Sequence, residues 1–287
     1  MPEMPEVQGL TTFLADRVVG RTITRTSVGA IAALKTYDPP NTALHGAEIT
    51  AATRRGKFIV LSAGDDLHLV FHLAKAGWLR WYELLPATLL KPGKSPIALR
   101  VAFDDDSGFD LTEAGTKKSL AVYVVRDPDQ VPGIERLGPD PLDADFTREV
   151  FGDVLTGRRM QIKGLLRDQG VIAGIGNAYS DEILHAAKMS PYAIADKLTD
   201  DEVDRLYAAM QSTLTDAVAQ ASGKPPADLK DAKRRGMQVH ARRGETCPVC
   251  GDTVRSVFFA DRSLEYCPTC QTGGKILADR RLSRLLK

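Results

Sequence analysis

Two closely spaced pairs of cysteines near the C-terminus constrain this chain more than any other feature. They are Cys247-Pro248-Val249-Cys250 and Cys267-Pro268-Thr269-Cys270, and sixteen residues separate them. A CxxC pair turns the chain so that two thiolates can face one tetrahedral ion, and the intervening residues are sufficient for a β-hairpin. The spacing therefore predicts a four-cysteine zinc ribbon with Cys247, Cys250, Cys267 and Cys270 as ligands of one Zn²⁺.

The same cysteines have two alternative uses. Two disulfides are rare in a reducing cytosol, and a redox dithiol would need only one CxxC pair. Four thiolates leave no open position for a reacting water, so we expect this Zn²⁺, the one cofactor that the sequence indicates, to be structural. Its expected role is to make a hairpin rigid, with Arg262 at the tip for contact with a nucleic acid; an Arg262 that is merely solvated is the alternative.

The charge is unevenly distributed along the 287 residues. The net formal charge is +1, but residues 230–287 carry 13 Lys and Arg against 6 Asp and Glu, which makes this end +7 and the rest −6. A basic end on an acidic body favours a polyanionic partner that docks mainly at the basic end.

The apolar pattern predicts a multi-domain α+β protein. Helical spacing over residues 5–20 predicts an opening helix, and alternation from Glu48 to Val125 predicts a β-sandwich. A Pro- and Gly-rich stretch follows, and helices are then predicted at Phe146–Leu155, Ile162–Leu166, Ala178–Ala187 and Asp200–Ala221. We expect an N-terminal domain at 1–130, a linker at 131–141, a helical domain at 142–229, and the ribbon with a basic tail at 230–287.

The N-terminus offers a chemical group as well as a helix start. Pro2 is small enough for Met1 to be removed, which would leave a secondary amine. An α-amino group of pKa ~7.7–8.0 is roughly a quarter unprotonated near pH 7.4, far more than a lysine, and a helix N-terminus lowers that pKa further. The amine could attack a sugar C1′ and form an iminium, with Glu3 protonating the ring oxygen and Glu6 orienting it. An ordinary helix start is the alternative interpretation.

Four segments in the same order resemble the formamidopyrimidine-DNA glycosylase and endonuclease VIII family. They are Pro2–Val7, Arg54–Phe58, Asp168–Leu184 and the two CxxC pairs, and they extend over essentially the whole chain. Asp168–Leu184 is similar to the family's helix-two-turn-helix segment, and Arg54–Phe58 to its N-domain lysine stretch. The resemblance implies an N-terminal helix with a β-sandwich, a helix-two-turn-helix domain and a C-terminal zinc ribbon.

The resemblance also implies roles for single residues. Pro2 would be the nucleophile and Glu3 the acid, and Lys57, which we group with them in the catalytic set, would bind a phosphate near the extruded nucleotide. Lys163, Asn177 and Arg262 would bind further phosphates. The residue chemistry agrees: Asn177 follows a Gly-Ile-Gly turn at a helix start, where backbone N–H groups can bind a phosphate. Lys57 and Lys163 supply positive charge, although each could instead be a solvated surface lysine.

The sequence departs from the family at the residues that fill the gap left by the flipped base. Members commonly use a methionine from a His-Leu-Gly-Met-Ser-Gly-like stretch, whereas His72–Gly77 has Lys75 at that point. The second loop, Leu111–Ser119, has neither the usual Arg nor the usual Phe. An apolar wedge offsets part of the cost of unstacking, so extrusion from a duplex should be less favourable here. Lys75, Lys117 and Lys118 become candidate DNA contacts, with a solvated rim as the alternative.

A second departure concerns the lesion. The stretch from Gly223 to Val239 is shorter than the loop that caps 8-oxoguanine in purine-specific members. We therefore expect action on oxidised pyrimidines, ring-opened purines or bulky adducts, in damaged DNA that can be single-stranded or distorted, rather than strict excision of 8-oxoguanine.

The resemblance as a whole implies a bifunctional DNA glycosylase and abasic-site lyase of base-excision repair that acts through an N-terminal proline Schiff base. A non-catalytic binder of damaged or abasic DNA on the same scaffold is the first alternative. A zinc-ribbon accessory subunit is the second, and it leaves the N-terminus unexplained. We expect a monomer without membrane contact, because no apolar run approaches the ~18 residues of a membrane span and no secretory signal is present. The expected location is the cytoplasm, with the nucleoid in a prokaryote.

Overall fold

The structure is a computed structural model that describes residues 1–88, 90, 91, 93, 96–114, 117–259 and 263–278. The chain divides into two compact units. Unit 1 consists of Met1–Leu137 and Gln220–Ala232, and unit 2 consists of Gly138–Ala219 and the chain from Lys233 onward. The predicted domain boundaries at 130, 141 and 229 stay a prediction. Among the described residues, no helix has both the length and the apolar character needed to cross a membrane.

Unit 1 begins with a helix and continues with two four-stranded sheets, in which every strand pairs antiparallel with its neighbours. The helix is α1 (Met4–Val18), and the strands are β1 (Ile23–Val28), β2 (Ile49–Arg55), β3 (Phe58–Ala63), β4 (Leu67–His72), β5 (Gly77–Tyr82), β6 (Ile97–Phe103), β7 (Gly108–Glu113) and β8 (Ala121–Val125). One sheet has the order β1-β6-β7-β5, and the other has the order β2-β3-β4-β8.

Both sheets and α1 contribute to one apolar core. Leu10 and Leu14 of α1, Phe71 of β4 and Phe109 of β7 are all fully buried in it. The alternation in the strands places one set of side chains in this core, because successive residues of a strand face opposite ways. The predicted opening helix and the predicted two-sheet body are confirmed. Strand β1 lies before the predicted sheet region and was not predicted.

The segment after Gly223 is a helix rather than an extended loop. Helix α6 occupies Pro226–Gly236, and its residue Leu229 is buried in the core of unit 1. The indole N–H of Trp78 donates to the carbonyl oxygen of Pro226 at 3.0 Å, and the Lys230 ammonium lies 4.4 Å from the centroid of the Trp78 ring. Most of the stretch from Gly223 to Val239, which the sequence predicts to be too short for a lesion-capping loop, is therefore a helix that packs on β5.

Unit 2 is helical in its first part and zinc-ribbon-like in its second. The helices are α2 (Arg148–Leu155), α3 (Ile162–Arg167), α4 (Asn177–Ala186) and α5 (Asp200–Ala221), the last two residues of which are assigned to unit 1. Strands β9 (Arg255–Phe258) and β10 (Ser263–Tyr266) form an antiparallel hairpin, followed by α7 (Pro268–Thr272). All four predicted helices are present within two residues of their expected ends. Thr199 caps α5, because its hydroxyl accepts the Glu202 N–H at 3.3 Å.

Candidate functional site

The start of α1 is a closed capping box made of two acids. Glu3 is the N-cap residue; its carboxylate accepts the backbone N–H of Glu6, and its own N–H donates to Glu6 Oε2 at 2.8 Å. Both side chains are buried, with 2% of Glu3 and 3% of Glu6 exposed. The positive end of the helix dipole stabilises such carboxylates. The fold therefore fixes two acids within the first four residues after Pro2.

Pro2 is buried, whereas Met1 is half exposed. While Met1 is attached, the Pro2 nitrogen belongs to a tertiary amide and has neither a proton nor nucleophilic character. The accessible position of Met1 is compatible with its removal by an aminopeptidase. The predicted amine thus exists only in the processed chain.

Lys57 lies in the turn between β2 and β3 and is 8% exposed. Its neighbour Phe58 pairs with His72 of β4, and the two rings lie 4.7 Å apart between centroids. Burial and, next, the charge of Lys57 lower the pKa of His72 to about 4. His72 is therefore neutral near pH 7, and its Nδ1 accepts the Ala74 N–H at 3.2 Å. Gln8 of α1 accepts a hydrogen bond from Arg54 at 2.9 Å and so connects the helix to the strand before Lys57.

Lys75 is exposed in the tight loop between β4 and β5. The Gly77 N–H closes this loop on the Leu73 carbonyl at 2.8 Å. A Cβ on Gly77 would lie 2.1 Å from the same oxygen, so only glycine fits there. The loop that replaces the family's methionine stretch thus presents a lysine to solvent from a closed turn.

The second loop, which lacks the usual Arg and Phe, lies beside the first. The Ala114 N–H donates to Ala76 O at 3.3 Å. Glu113 accepts the N–H groups of Ser119 and Leu120 at 2.7 and 3.0 Å, and the exposed Lys118 donates to Glu113 O at 2.6 Å. We call Lys75, Lys117 and Lys118 the lysine rim; all three side chains are exposed.

The turn between α3 and α4 is organised by a side-chain amide. Gln169 donates to Ile175 O at 2.7 Å and accepts the Gly174 N–H at 3.0 Å. Gly174 has a φ of +88°, which favours glycine. The predicted helix–turn–helix segment is therefore present, with Asn177 as the first residue of α4.

Lys163 and Asn177 meet at that helix start. The Lys163 ammonium is 5% exposed and donates to Asn177 O at 3.1 Å, Ser180 Oγ at 2.8 Å and Asp181 Oδ1 at 2.6 Å. Asn177 in turn donates through Nδ2 to Ser263 O at 2.9 Å. Lys163 thus supports the first turn of α4 from inside, and its predicted contact with a phosphate stays a prediction. Arg262, adjacent to Ser263 in sequence, lies outside the described residues.

The four predicted zinc ligands converge. Their sulfur atoms all lie within 4.8 Å of one another, with Cys247 and Cys270 3.9 Å apart and Cys250 and Cys267 3.3 Å apart. A tetrahedral ion with Zn–S bonds of about 2.3 Å needs sulfur separations of about 3.8 Å. Asp252 joins the two cysteine turns by accepting Thr269 Oγ1–H at 2.8 Å.

The chemistry of the donor set also fits a cation. Burial raises the pKa of Cys267 to about 11 and raises that of Cys270. Zn²⁺ would supply the charge that keeps these thiolates deprotonated, as thiolate ligation requires. His185 lies behind the cluster, with Nε2 3.3 Å from Cys247 Sγ, and burial lowers its pKa. A neutral imidazole N–H can orient this ligand from outside the metal shell.

Sequence reasoning missed a cluster of buried charged residues in the same unit. His240 Nδ1 lies 2.8 Å from Asp181 Oδ2 and 3.1 Å from Glu265 Oε2. Burial acts against the charged form of His240, but Asp181 and then Glu265 outweigh it and raise its pKa to about 9. No local spacing signals this cluster, because its members Asp181, His240 and Glu265 are separated by 59, 25 and 84 positions in the sequence. The sequence signal is limited to polar residues among apolar ones in α4 and β10.

Family models match the chain over three segments that follow one another. Residues 1–121 match the formamidopyrimidine-DNA glycosylase N-terminal domain, residues 137–225 match the H2TH domain of that glycosylase, and residues 244–273 match the zinc finger found in FPG and IleRS. This combination defines a zinc-containing DNA glycosylase.

One curated relative matches nearly the full length of the chain, and another matches about half of it. The chain is 35% identical to the formamidopyrimidine-DNA glycosylase of Symbiobacterium thermophilum, with 98% of this chain and 93% of the relative covered. It is 60% identical to an uncharacterized formamidopyrimidine-DNA glycosylase-like protein of Mycobacterium tuberculosis, over 53% of this chain and 94% of that protein. Solved structures include a Lactococcus lactis Fpg bound to abasic-site DNA, at 27% identity and a TM-score of 0.80, covering 94% of this chain and 99% of that one.

The chain belongs to the formamidopyrimidine-DNA glycosylase family. It is accordingly a DNA glycosylase of base-excision repair with a structural zinc site formed by its four cysteines.

Proposed function

We propose that the processed chain is a bifunctional DNA glycosylase and abasic-site lyase, with the Pro2 nitrogen as nucleophile and Glu3 as proton donor. The observation that carries the proposal is the capping box at the start of α1, in which the buried Glu3 carboxylate follows Pro2 directly and is paired with the buried Glu6. A hydrogen-bonded acid on a rigid helix start is well placed for general acid catalysis.

The proposed reaction has two stages. The Pro2 nitrogen bonds to C1′ as the C1′–base bond breaks, and the base leaves with the proton that the amine gives up. The C1′–O4′ bond then opens, Glu3 gives its proton to O4′, and the nitrogen keeps C1′ as an iminium. Loss of a C2′ proton expels the 3′-phosphate, with a further elimination able to release the 5′-phosphate, and water hydrolyses the iminium to free Pro2.

Borohydride trapping on abasic DNA tests this mechanism. Wild-type protein without Met1 should form a covalent adduct, and Pro2→Gly should form much less. Glu3→Gln keeps an oxygen for the Glu6 N–H, so the helix start should remain, whereas base release should fall by about 10²–10⁴. Asp16→Asn, which removes an exposed acid further along α1, is the matched control and should retain trapping.

Two results would contradict the proposal. The first is an intact mass showing that the active protein retains Met1. The second is trapping that survives Pro2→Gly undiminished, because the nucleophile would then be another amine. Binding of abasic DNA without trapping or base release would support the alternative, a non-catalytic binder.

The proposed substrate is damaged DNA that is single-stranded or distorted, without strict preference for 8-oxoguanine. The lysine rim supports this, because the hydrogen bond between Ala114 and Ala76 joins the two loops that carry it. Exposed lysines attract the phosphates of a flexible strand, but they lack the apolar surface that offsets the unstacking of a paired base. Residues 226–236 form helix α6 rather than a long loop that could cap 8-oxoguanine. This also supports a substrate range without strict preference for 8-oxoguanine.

An oligonucleotide panel in single-stranded and duplex form tests the substrate proposal. Excision of oxidised pyrimidines and ring-opened purines should be as fast in single strands as in duplex. Lys75→Met should raise the duplex rate relative to the single-strand rate, and Lys75→Gln, which removes the charge without adding a wedge, should not. Strong preference for 8-oxoguanine opposite cytosine in duplex would refute this substrate.

The monomeric state and the cytoplasmic location also stay predictions. Light scattering would test the first, and cell fractionation would test the second.

A further inference from the structure

Four side chains from four separate parts of unit 2 form a chain of charges beneath the start of α4. Lys163 of α3 contacts Asp181 Oδ1 at 2.6 Å, and His240 contacts Asp181 Oδ2 at 2.8 Å. His240 also lies 3.1 Å from Glu265 of β10. Asp181 and Glu265 are 1% and 5% exposed, so little water is available to screen these charges.

The backbone around His240 is fixed to the same helix. Glu182, the residue after Asp181, accepts the N–H groups of Gln238, Val239 and His240 at 2.7, 3.0 and 2.8 Å. Three backbone donors on one carboxylate define the path of this segment and direct His240 toward Asp181. The fixed backbone thus restricts the His240 side chain to positions beside Asp181.

The partners favour the charged form of His240. An ionised carboxylate only accepts hydrogen bonds, so the 2.8 Å contact with Asp181 requires a proton on His240 Nδ1, and the presence of two carboxylates beside that nitrogen favours the imidazolium over the neutral tautomer. The groups that face the imidazole are Asp181 and, through it, Lys163, together with Glu265 and the Glu182 carboxylate at the backbone. A buried Glu265 without a cationic neighbour would be costly, and the imidazolium supplies that neighbour.

The cluster lies between two elements that a DNA phosphate would touch. Asn177, at the first position of α4, donates to Ser263 O, and Ser263 begins β10. Glu265 lies two residues further along β10, and Asp181 lies one turn further along α4. The start of β10 is therefore bonded to α4 directly through Asn177 and indirectly through His240.

We propose that His240 is a positioning residue for DNA binding: its imidazolium joins Asp181 of α4 to Glu265 of β10 and fixes the start of β10 against the first turn of α4. The consequence for DNA rests on the proposed function, whereas the charged state of His240 does not. A neutral residue at position 240 should leave the zinc cluster intact and loosen the alignment of the two phosphate-binding elements.

The first test is the NMR titration of His240 in the zinc-loaded full chain. Its imidazole should titrate near pH 9, and Glu265→Gln should move that titration to lower pH. A His240 that titrates near the ordinary value of about 6.5 overturns the proposal. So does a second metal ion per chain bound by Asp181, His240 and Glu265, which metal analysis would detect.

The second test is binding to DNA with a tetrahydrofuran abasic analogue, which cannot be cleaved. His240→Gln should keep one zinc per chain and weaken binding by about tenfold at pH 7. Wild-type affinity should fall as the pH rises through 9, and this fall should be absent in His240→Gln. His68→Gln, which removes a histidine from β4 in unit 1, is the matched control and should bind as wild type does.

The outcomes separate the two proposals. A wild-type protein that binds the analogue but does not trap abasic DNA contradicts the lyase mechanism alone. A His240→Gln protein with unchanged affinity and an unchanged pH profile contradicts the positioning role alone. If His240→Gln does not fold, the titration of His240 in Glu265→Gln still tests its charged state. The pH dependence of DNA binding by Glu265→Gln, compared with that of the wild type, then tests the positioning role.

Discussion

Two partly buried histidines, one in each unit, have pKa values that move in opposite directions. His72 in unit 1 lies near Lys57, and burial with that charge lowers its pKa to about 4. His240 in unit 2 lies between two carboxylates, which raise its pKa to about 9. The Lys57 charge in unit 1 therefore lies beside a histidine that stays neutral near pH 7, whereas the His240 charge in unit 2 lies between two buried anions. The second arrangement uses charge to connect separate elements.

Removal of zinc should have the largest effect on stability. It should destabilise unit 2 far more than unit 1. Structural zinc contributes on the order of 10 kcal/mol in small zinc modules. Chelation, or Cys267→Ser, should therefore unfold the hairpin and abolish DNA binding. Both tryptophans, Trp78 and Trp81, belong to unit 1, so the unfolding midpoint followed by tryptophan fluorescence should change little. A large drop in that midpoint would contradict this division.

Asp181→Asn should have the next largest effect, because it removes the anion that Lys163 and His240 share. Breaking a buried ion pair from one side costs about 3–5 kcal/mol. Chemical denaturation followed by far-UV circular dichroism would measure the loss. Asp153→Asn, an equal charge change at an exposed position of α2, should stay within about 0.5 kcal/mol of wild type. Equal stabilities for the two variants would show that the buried cluster is not a source of stability.

The two histidines should give the units opposite pH dependences. The folded pKa of His72, about 4, lies below the unfolded value, so its contribution is present above pH ~6.5 and is lost as the pH falls through 4. The folded pKa of His240, about 9, lies above the unfolded value, so its contribution is complete below pH ~6.5 and is lost as the pH rises through 9. Each contribution is on the order of 3 kcal/mol.

Two probes can resolve these contributions. Tryptophan fluorescence should report the acid-side loss in unit 1, and denaturation followed by the helical signal in far-UV circular dichroism, to which helices α2 to α5 contribute most, should report the alkaline-side loss in unit 2. His72→Gln should flatten the first profile only, and His240→Gln the second only. A single pH profile common to both probes would contradict the comparison.

Lys75→Gln should have the smallest effect on stability, within about 0.5 kcal/mol, because the side chain is exposed. Its effect should appear in the salt dependence of DNA binding. Loss of one phosphate contact lowers the slope of log affinity against log salt by about 0.7 for a single strand. Lys35→Gln, at another exposed position of unit 1, should leave the slope unchanged. An unchanged slope for Lys75→Gln would identify the lysine rim as solvated surface.

The features predicted from sequence are those with a local signature. The CxxC pairs, the acids after Pro2 and the Gly-Ile-Gly turn before Asn177 each specify a conformation within a few residues. Helical periodicity located α2 to α5 for the same reason. These signals identified most of the fold and placed Asn177 and the cysteines correctly.

The features that sequence did not reveal depend on distant partners. Helix α6 has a polar sequence that gives no sign of its packing. Its position becomes clear from the contact between Pro226 and Trp78 and from the burial of Leu229 in the core. From its local sequence, Lys163 cannot be distinguished from a surface lysine. In the structure, Asp181 and Ser180 accept hydrogen bonds from its ammonium. His240 has no ligand spacing and acquires its charge from residues 59 positions before it and 25 positions after it. Burial and tertiary electrostatics, rather than propensity, determine such positions.

Unit 1 is discontinuous in the chain, and this limits how the protein can be dissected. Ala221 contacts Gly9 of α1, where a Cβ on the glycine would lie 3.0 Å from the Ala221 carbonyl oxygen, and Leu229 completes the same core. A fragment truncated after Leu137 would expose the underside of α1 and the indole of Trp78 to water. Limited proteolysis between the units should therefore yield an aggregation-prone N-terminal piece, and recombinant dissection would need residues 220–232 supplied through a fused linker.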